Sequence, residues 1–342
     1  MTRPQLSIVV PCFNEAACLP ELVRRLGAAA DGAIGRDWEL LLVNDGSSDG
    51  SWAAMRALAA ENPRLTAVNL SRNHGHQLAL TAGLDLARGE HVLIIDADLQ
   101  DPPELLPEML STMAQEDADV VYAVRRRREG ETATKRWTAR LFYRALARLT
   151  DTAIPVDTGD FRLMRRRALD AFLAMPEQAR FIRGMVAWIG FRQVPILYDR
   201  DARHAGETKY PFRKMFRLAA DAITGFSTAP LRWASHAGLL LVAASLLLLL
   251  YILLGWLRGD TVEGWTSLML VVVGLGAVQM FVLGMIGEYL GRLYIESKRR
   301  PLYIVAEIAG RAKPESARLG YVAADATATS DSPGGNGTRP TR

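Results

Sequence analysis

Along the first half of the chain, short apolar runs alternate with stretches of helical period. The runs at 6–10, 39–43, 65–70 and 91–95 are rich in Val, Ile and Leu, and the stretches at 17–30, 51–60 and 75–87 separate them. This alternation predicts an α/β fold, a mostly parallel sheet with helices on both faces. Further on, the pattern predicts strands at 119–124 and 193–198, helices at 135–149 and 180–189, and a polar loop at 199–209. Residues 211–228 carry one basic and one apolar face, which suits a helix lying in a membrane interface.

Two long blocks then break the pattern. Residues 237–257 and 264–287 contain no charged side chain. Each is as long as the roughly 20 residues that cross ~30 Å of hydrocarbon. Arg232 precedes the pair, and Arg292, Lys298, Arg299 and Arg300 follow it. The positive-inside rule puts both outer flanks in the cytoplasm and makes the blocks a hairpin anchor in the inner membrane. The expected organisation is a catalytic domain over 1–210, an interfacial helix over 211–230 and two spans within 231–295. A basic extended segment over 296–311 and a disordered tail over 312–342 follow.

Charge adds little to this picture. Lys and Arg total 41 against 37 Asp and Glu, a formal net charge of +4. Basic clusters at 125–128, 165–167 and 298–300 suit an anionic membrane surface better than a nucleic acid. The two cysteines, Cys12 and Cys18, have no metal-ligand pattern and read as free buried thiols. A strand-like run begins almost at the N-terminus, so no signal peptide is expected and the catalytic part stays in the cytoplasm.

Ligands of parallel α/β sheets gather at the carboxyl ends of the strands. The residues following each run are polar there: 11–15, 44–49, 71–73 and 96–101. Asp96 and Asp98, two positions apart past an apolar run, suit a divalent cation that also grips a diphosphate, since Mg2+ and Mn2+ take hard oxygen ligands. Asp45-Gly46-Ser47-Ser48-Asp49 also reads as a turn and a helix cap. No GxGxxG follows the first run, which sets aside a dinucleotide-dependent oxidoreductase.

The segments Val9-Val10-Pro11-x-Phe13-Asn14-Glu15, Asn44 to Asp49 and Asp96-Ala97-Asp98-Leu99-Gln100-Asp101-Pro102-Pro103 resemble family 2 glycosyltransferases with the GT-A fold. More narrowly, the chain resembles bacterial polyprenyl-phosphate glycosyltransferases of the bactoprenol glucosyltransferase type, relatives of dolichyl-phosphate mannose synthase. Segments 159–163, 180–184, 203–210 and 287–294 extend the resemblance, which covers about 5–306; Asn44 departs from it, where an acidic residue is common.

The resemblance implies that Pro11, Asn14, Glu15, Asp45 and Ser47 hold the base and ribose of a nucleotide sugar, with UDP-glucose the favoured donor. Asp96 would contact the nucleotide, while Asp98 and Gln100 would ligate Mg2+ or Mn2+. Arg136 and Arg140, helped by Arg125, would meet the phosphate of a polyprenyl phosphate such as undecaprenyl phosphate. Arg203 and Lys209 would close over the diphosphate. The resemblance also implies a homo-oligomer, a tetramer, and Gly274, Gly276 and Gly284 would permit close helix packing.

The implied reaction is inverting, and a phosphate monoester with a second pKa near about 6 is already a competent nucleophile at neutral pH. Asp157 and Asp160 are therefore expected to bind or position, and not to act as an obligatory base. Two other readings stay open: transfer to a glycolipid or polysaccharide, and a catalytically silent scaffold.

Overall fold

The computed structural model describes residues 3–126, 158–199, 229–258 and 264–310. The chain divides into two units, Met1–Glu108 with Pro301–Arg342, and Met109–Arg300.

In the first unit, β1 (Leu6–Cys12), β2 (Trp38–Asn44), β3 (Leu65–Leu70) and β4 (His91–Ile94) run parallel in the order β4-β1-β2-β3. Every residue of β1 and of β2 is buried, so both faces of the sheet are covered. Near-continuous apolar runs, without polar alternation, are what such a strand requires. The connections are α1 (Leu19–Ile34), α2 (Ser51–Glu61) and α3 (His76–Leu86). Helix α1 begins with Pro in its first turn, stops at Gly35 with φ +70°, and buries Leu19, Leu22, Leu26 and Ala30 on one face. Helix α3 packs closely on the sheet: a Cβ on Gly83 would lie 2.3 Å from Val9 Cγ1.

The strands expected at 6–10 and 91–95 and the three expected helices thus appear with small shifts at their ends. A further strand belongs to this unit and was not expected as one. Residues Val305–Gly310 form β8 and pair antiparallel with β3.

Helix α4 (Leu106–Gln115) carries the chain into the second unit. There β5 (Val120–Arg125) is central, with β6 (Thr158–Arg165) antiparallel on one side and β7 (Gln193–Tyr198) parallel on the other. Two short helices, α5 (Arg166–Leu173) and α6 (Ile182–Trp188), lie between β6 and β7 in sequence. The apolar block at 237–257 falls inside a longer helix, α7 (Ala229–Leu257), and that at 264–287, apart from the cap residue Gly264, inside α8 (Trp265–Ser297). Leu239, Leu246 and Leu250 on α7 and Val273, Met280 and Phe281 on α8 are exposed. Among the described residues one stretch, Val271–Ser297, is long and apolar enough to cross a membrane. The helices expected at 135–149 and 211–228, the loop beyond Asp199, and the tail at 312–342 lie outside the described residues.

Candidate active site

The register of the first unit brings the carboxyl ends of its strands together. Cys12 stands beside Asn44, Asn44 beside Asn69, and Val9 beside Ile94. The loops that follow are bonded to one another through side chains.

Asn14 sits in the left-handed region with φ 59°, a conformation that Asn tolerates better than most residues. Its N–H donates to Ser47 Oγ at 2.9 Å, and its Oδ1 accepts from the Ser48 N–H at 2.9 Å. The N–H of Glu15 donates to Ser51 Oγ at 2.9 Å, and that of Ala16 to Asp49 Oδ2 at 3.3 Å. The other Asp49 oxygen accepts from the Ser51 N–H and hydroxyl. Burial raises the Asp49 carboxyl, but the Ser51 hydroxyl and the backbone N–H donors outweigh it and hold the group below the usual range.

Asp45 ties in the third loop. One carboxylate oxygen accepts from the N–H of His74 at 2.7 Å and the other from that of Gly75 at 3.0 Å. Burial pushes this carboxyl up, against the pull of those two N–H groups. Gly46, at φ +65°, lies directly on the same loop, and a Cβ there would be 2.4 Å from Asn73 N and 2.6 Å from Arg72 C. Only glycine fits both the dihedral and the space.

The fourth loop follows β4. Leu99 has φ 59°, a rare value for a bulky residue, and its side chain is buried. Non-glycine left-handed residues cluster at functional loops, where surrounding structure holds them. This turn buries Leu99 and leaves Asp98 and Gln100, on either side, half-exposed. Asp98 Oδ1 accepts from the Gln100 N–H at 3.1 Å, which fixes the two residues relative to one another. Asp96 is half-buried, and His76 Nε2 at the start of α3 stands 3.6 Å from its Oδ1. Arg25 on α1 grips Glu104 just beyond the loop at 2.7 Å.

The cysteines report the field of this corner. Burial raises the Cys12 thiol most, and the charges of Glu15 and Asp96 raise it further. Burial, Glu15 and Asp98 raise Cys18. Both thiols are free and buried, as expected from the sequence.

The donor chemistry of the β4 loop suits a hard divalent cation. Among the described residues no cluster of three or more His, Cys, Asp or Glu side chains could hold an ion alone. Asp98 and Gln100, two positions apart on this loop, carry side-chain oxygens of the hard type that Mg2+ and Mn2+ take, and these ions commonly complete their shell with water and substrate phosphates. The residues fit the ion in that sense.

Pro11 is buried at the end of β1, and Asn14, Glu15, Asp45, Ser47, Asp96, Asp98 and Gln100 all belong to this corner of the first unit. No role was expected for Phe13, which is 47 % exposed beside the exposed Asn14; its place directly after the first apolar run, among the polar residues 11–15, was the available signal.

Arg125 lies in the second unit, where its Nε donates to Tyr198 Oη at 3.4 Å. Asp160 in that unit is 4 % exposed; Arg183 Nε donates to its Oδ1 at 3.0 Å, and Arg162 Nη2 stands 3.8 Å away. Burial lowers the Arg162 guanidinium to about 10, against the opposing effect of Asp160. Arg136, Arg140, Asp157, Arg203 and Lys209 lie outside the described residues.

Comparison with known proteins bears on this arrangement. Residues 7–173 match the family described as Glycosyl transferase family 2. The chain is 47% identical over 307 residues to the uncharacterized glycosyltransferase YkcC of Bacillus subtilis (strain 168), covering 90% of this chain and 94% of that protein. It is 37% identical over 302 residues to the bactoprenol glucosyl transferase of Shigella phage SfV, covering 88% and 98%. Among solved structures, glucosyl-3-phosphoglycerate synthase from Mycobacterium tuberculosis, in complex with Mn2+, UDP-glucose and phosphoglyceric acid, aligns with TM-score 0.44 at 21% identity, covering 65% of this chain and 78% of that one.

The protein is a glycosyltransferase. Within that class, near-full-length relatives and the matched domain make it a member of glycosyl transferase family 2.

Proposed function

We propose that the protein is an inverting transferase that moves a sugar, glucose, from UDP-glucose to a polyprenyl phosphate such as undecaprenyl phosphate at the cytoplasmic face of the inner membrane. The observation that carries this reading is 37% identity over nearly the whole length of a bactoprenol glucosyl transferase. The bonded loops of the first unit and the long apolar helices α7 and α8 support it.

Asn14, Glu15, Asp45 and Ser47, with Pro11, frame the base and ribose, and Phe13 offers a ring face for stacking on the base. Asp96 contacts the nucleotide. Asp98 and Gln100 would hold Mg2+ or Mn2+, and a bound divalent cation would supply positive charge against the diphosphate. Arg136, Arg140 and Arg125 orient the acceptor phosphate, because a guanidinium fork donates two parallel hydrogen bonds to phosphate. Arg203 and Lys209 close over the diphosphate. The acceptor phosphate, largely dianionic at neutral pH, attacks the anomeric carbon in line and needs no base. Asp160, engaged by Arg162 and Arg183, serves as a positioning group. A hairpin of α7 and α8 keeps the protein at the bilayer where the acceptor headgroup lies, and a tetramer is the expected assembly.

A transfer assay on detergent-purified full-length protein tests this. Undecaprenyl phosphate, Mg2+ or Mn2+ and a panel of labelled nucleotide sugars are supplied. Label from UDP-glucose moves into the organic phase, and EDTA or Asp98→Ala lowers the rate by at least about 100-fold, the scale of losing one preorganised electrostatic contact. Transfer from a different donor corrects the sugar. Metal-dependent nucleotide binding without transfer from any donor shifts the acceptor to a glycolipid or polysaccharide, and absence of both supports a silent scaffold.

A further inference from the structure

The segment that follows the second long helix is part of the nucleotide-binding unit. Residues 303–304 touch the two flanks of one continuous stretch, 71–86. At its start, the Ser71 N–H donates to the Ile304 carbonyl at 2.9 Å. Near its end, Tyr303 Oη donates to Asp85 Oδ2 on α3 at 2.8 Å, and the tyrosine is only 3 % exposed. Between these points lie His74 and Gly75, whose N–H groups hold the Asp45 carboxylate, and His76, which stands beside Asp96.

The strand beyond is firmly seated. Thr66 pairs with Gly310, Val68 with Ile308 and Asn69 with Glu307. A register shift at Asn69/Leu70 precedes the point where Ile304 meets Ser71. Glu307 accepts from Trp52 Nε1 at 3.2 Å and stands 3.7 Å from Arg56 Nε, both on α2. Gly310 closes the strand at φ +106°, where a Cβ would lie 2.5 Å from the Leu65 carbonyl oxygen.

We propose that Tyr303 and Ile304 are positioning residues for the nucleotide sugar: the strap at 301–310 fixes the loop at 71–75, and through it the residues that meet the donor. This rests on the donor-site reading given above. The strap begins four residues after α8 ends at Ser297, so the chain leaving the long helix is tied directly to the donor loops. A segment that merely stabilised the fold would affect donor and acceptor alike once the protein was folded. A strap acting through 71–75 affects the donor selectively.

The test is equilibrium binding of UDP with Mn2+ to the full-length protein in detergent, together with separate KM values for donor and acceptor. Tyr303→Phe keeps the ring and removes one hydrogen bond to a carboxylate. It is expected to weaken UDP binding and raise donor KM about fivefold, on the scale of such a bond, with acceptor KM moving less than about twofold. Asp85→Asn retains an acceptor oxygen and is expected to remain within about twofold of the wild type. Hydrogen exchange of the 71–75 amides should quicken in Tyr303→Phe alone. Unchanged UDP binding in a folded Tyr303→Phe protein overturns the proposal, as does an equal rise in both KM values. Wild-type protein that binds no UDP overturns the donor-site reading and the strap with it, an outcome separate from either.

Discussion

Asp45 and Gly46 show how two adjacent residues shape this corner of the first unit by unlike means. The carboxylate of Asp45 spends one oxygen on each of two successive N–H groups. An amide at that position presents one oxygen and one NH2, so Asp45→Asn turns one of the two contacts into a donor facing a donor. Leaving a buried N–H unsatisfied costs about 1–3 kcal/mol, and thermal or urea unfolding of Asp45→Asn should register a loss in that range. Gly46→Ala acts sterically. A left-handed alanine costs roughly 1–2 kcal/mol, and its Cβ meets loop backbone at 2.4 Å, which cannot rotate away. The expected loss is about 3 kcal/mol with both terms, together with weaker nucleotide binding. A Gly46→Ala protein as stable as wild type would show that the loop at 71–75 shifts freely.

Among the elements, legibility followed the burial pattern. β1 and β2 announce themselves because every residue is buried and nearly all are apolar. The polar residues after them stood out because they end those apolar runs. β6 was missed because Asp160 and Arg162 interrupt its apolar reading, and periodicity cannot foresee that two charges will be buried against each other. β8 was missed because Val305–Gly310 is short, carries Glu307, and pairs with a strand more than 200 residues earlier. The stitching of Asn14 to Ser47 and Ser48 was equally hidden, since side-chain bonds across 33 and 34 positions leave no local trace. The buried charges of β6 also separate two roles for Asp160. Asp160→Asn leaves the buried Arg162 guanidinium without its nearby charge, a change that costs about 3–5 kcal/mol when a buried pair is broken. The expected result is a lowered Tm with turnover retained by the folded fraction. Turnover abolished in fully folded protein, with UDP binding intact, would instead make Asp160 the base.

For the molecule as a whole, the perturbed carboxylates fix the direction of its response to acid. Hydrogen bonds from Trp38 and Arg64 hold Asp31 low, and the Ser51 and backbone donors hold Asp49 low. Arg25 lowers Glu104 in the same unit, and Arg165 lowers Asp117 in the other. A carboxylate whose folded pKa lies below its unfolded value contributes stability that is complete above the unfolded value. That contribution is lost as pH falls through the folded one. Asp45 works the other way: its raised pKa makes ionisation a cost to the folded state, a cost that shrinks as pH falls. Among the described residues four groups oppose one, so the balance favours neutral pH. With unfolded values of about 3.9 for Asp and about 4.3 for Glu, Tm should change little between about pH 7 and pH 5 and then decline below about pH 4. Because the four lowered groups are largely exposed, the decline should be gradual and should weaken in high salt, which screens such pairs. Thermal melts of the detergent-purified protein at low and high ionic strength would measure both features. A Tm that rose on acidification would mean that Asp45 and other buried carboxyls outweigh the paired surface groups.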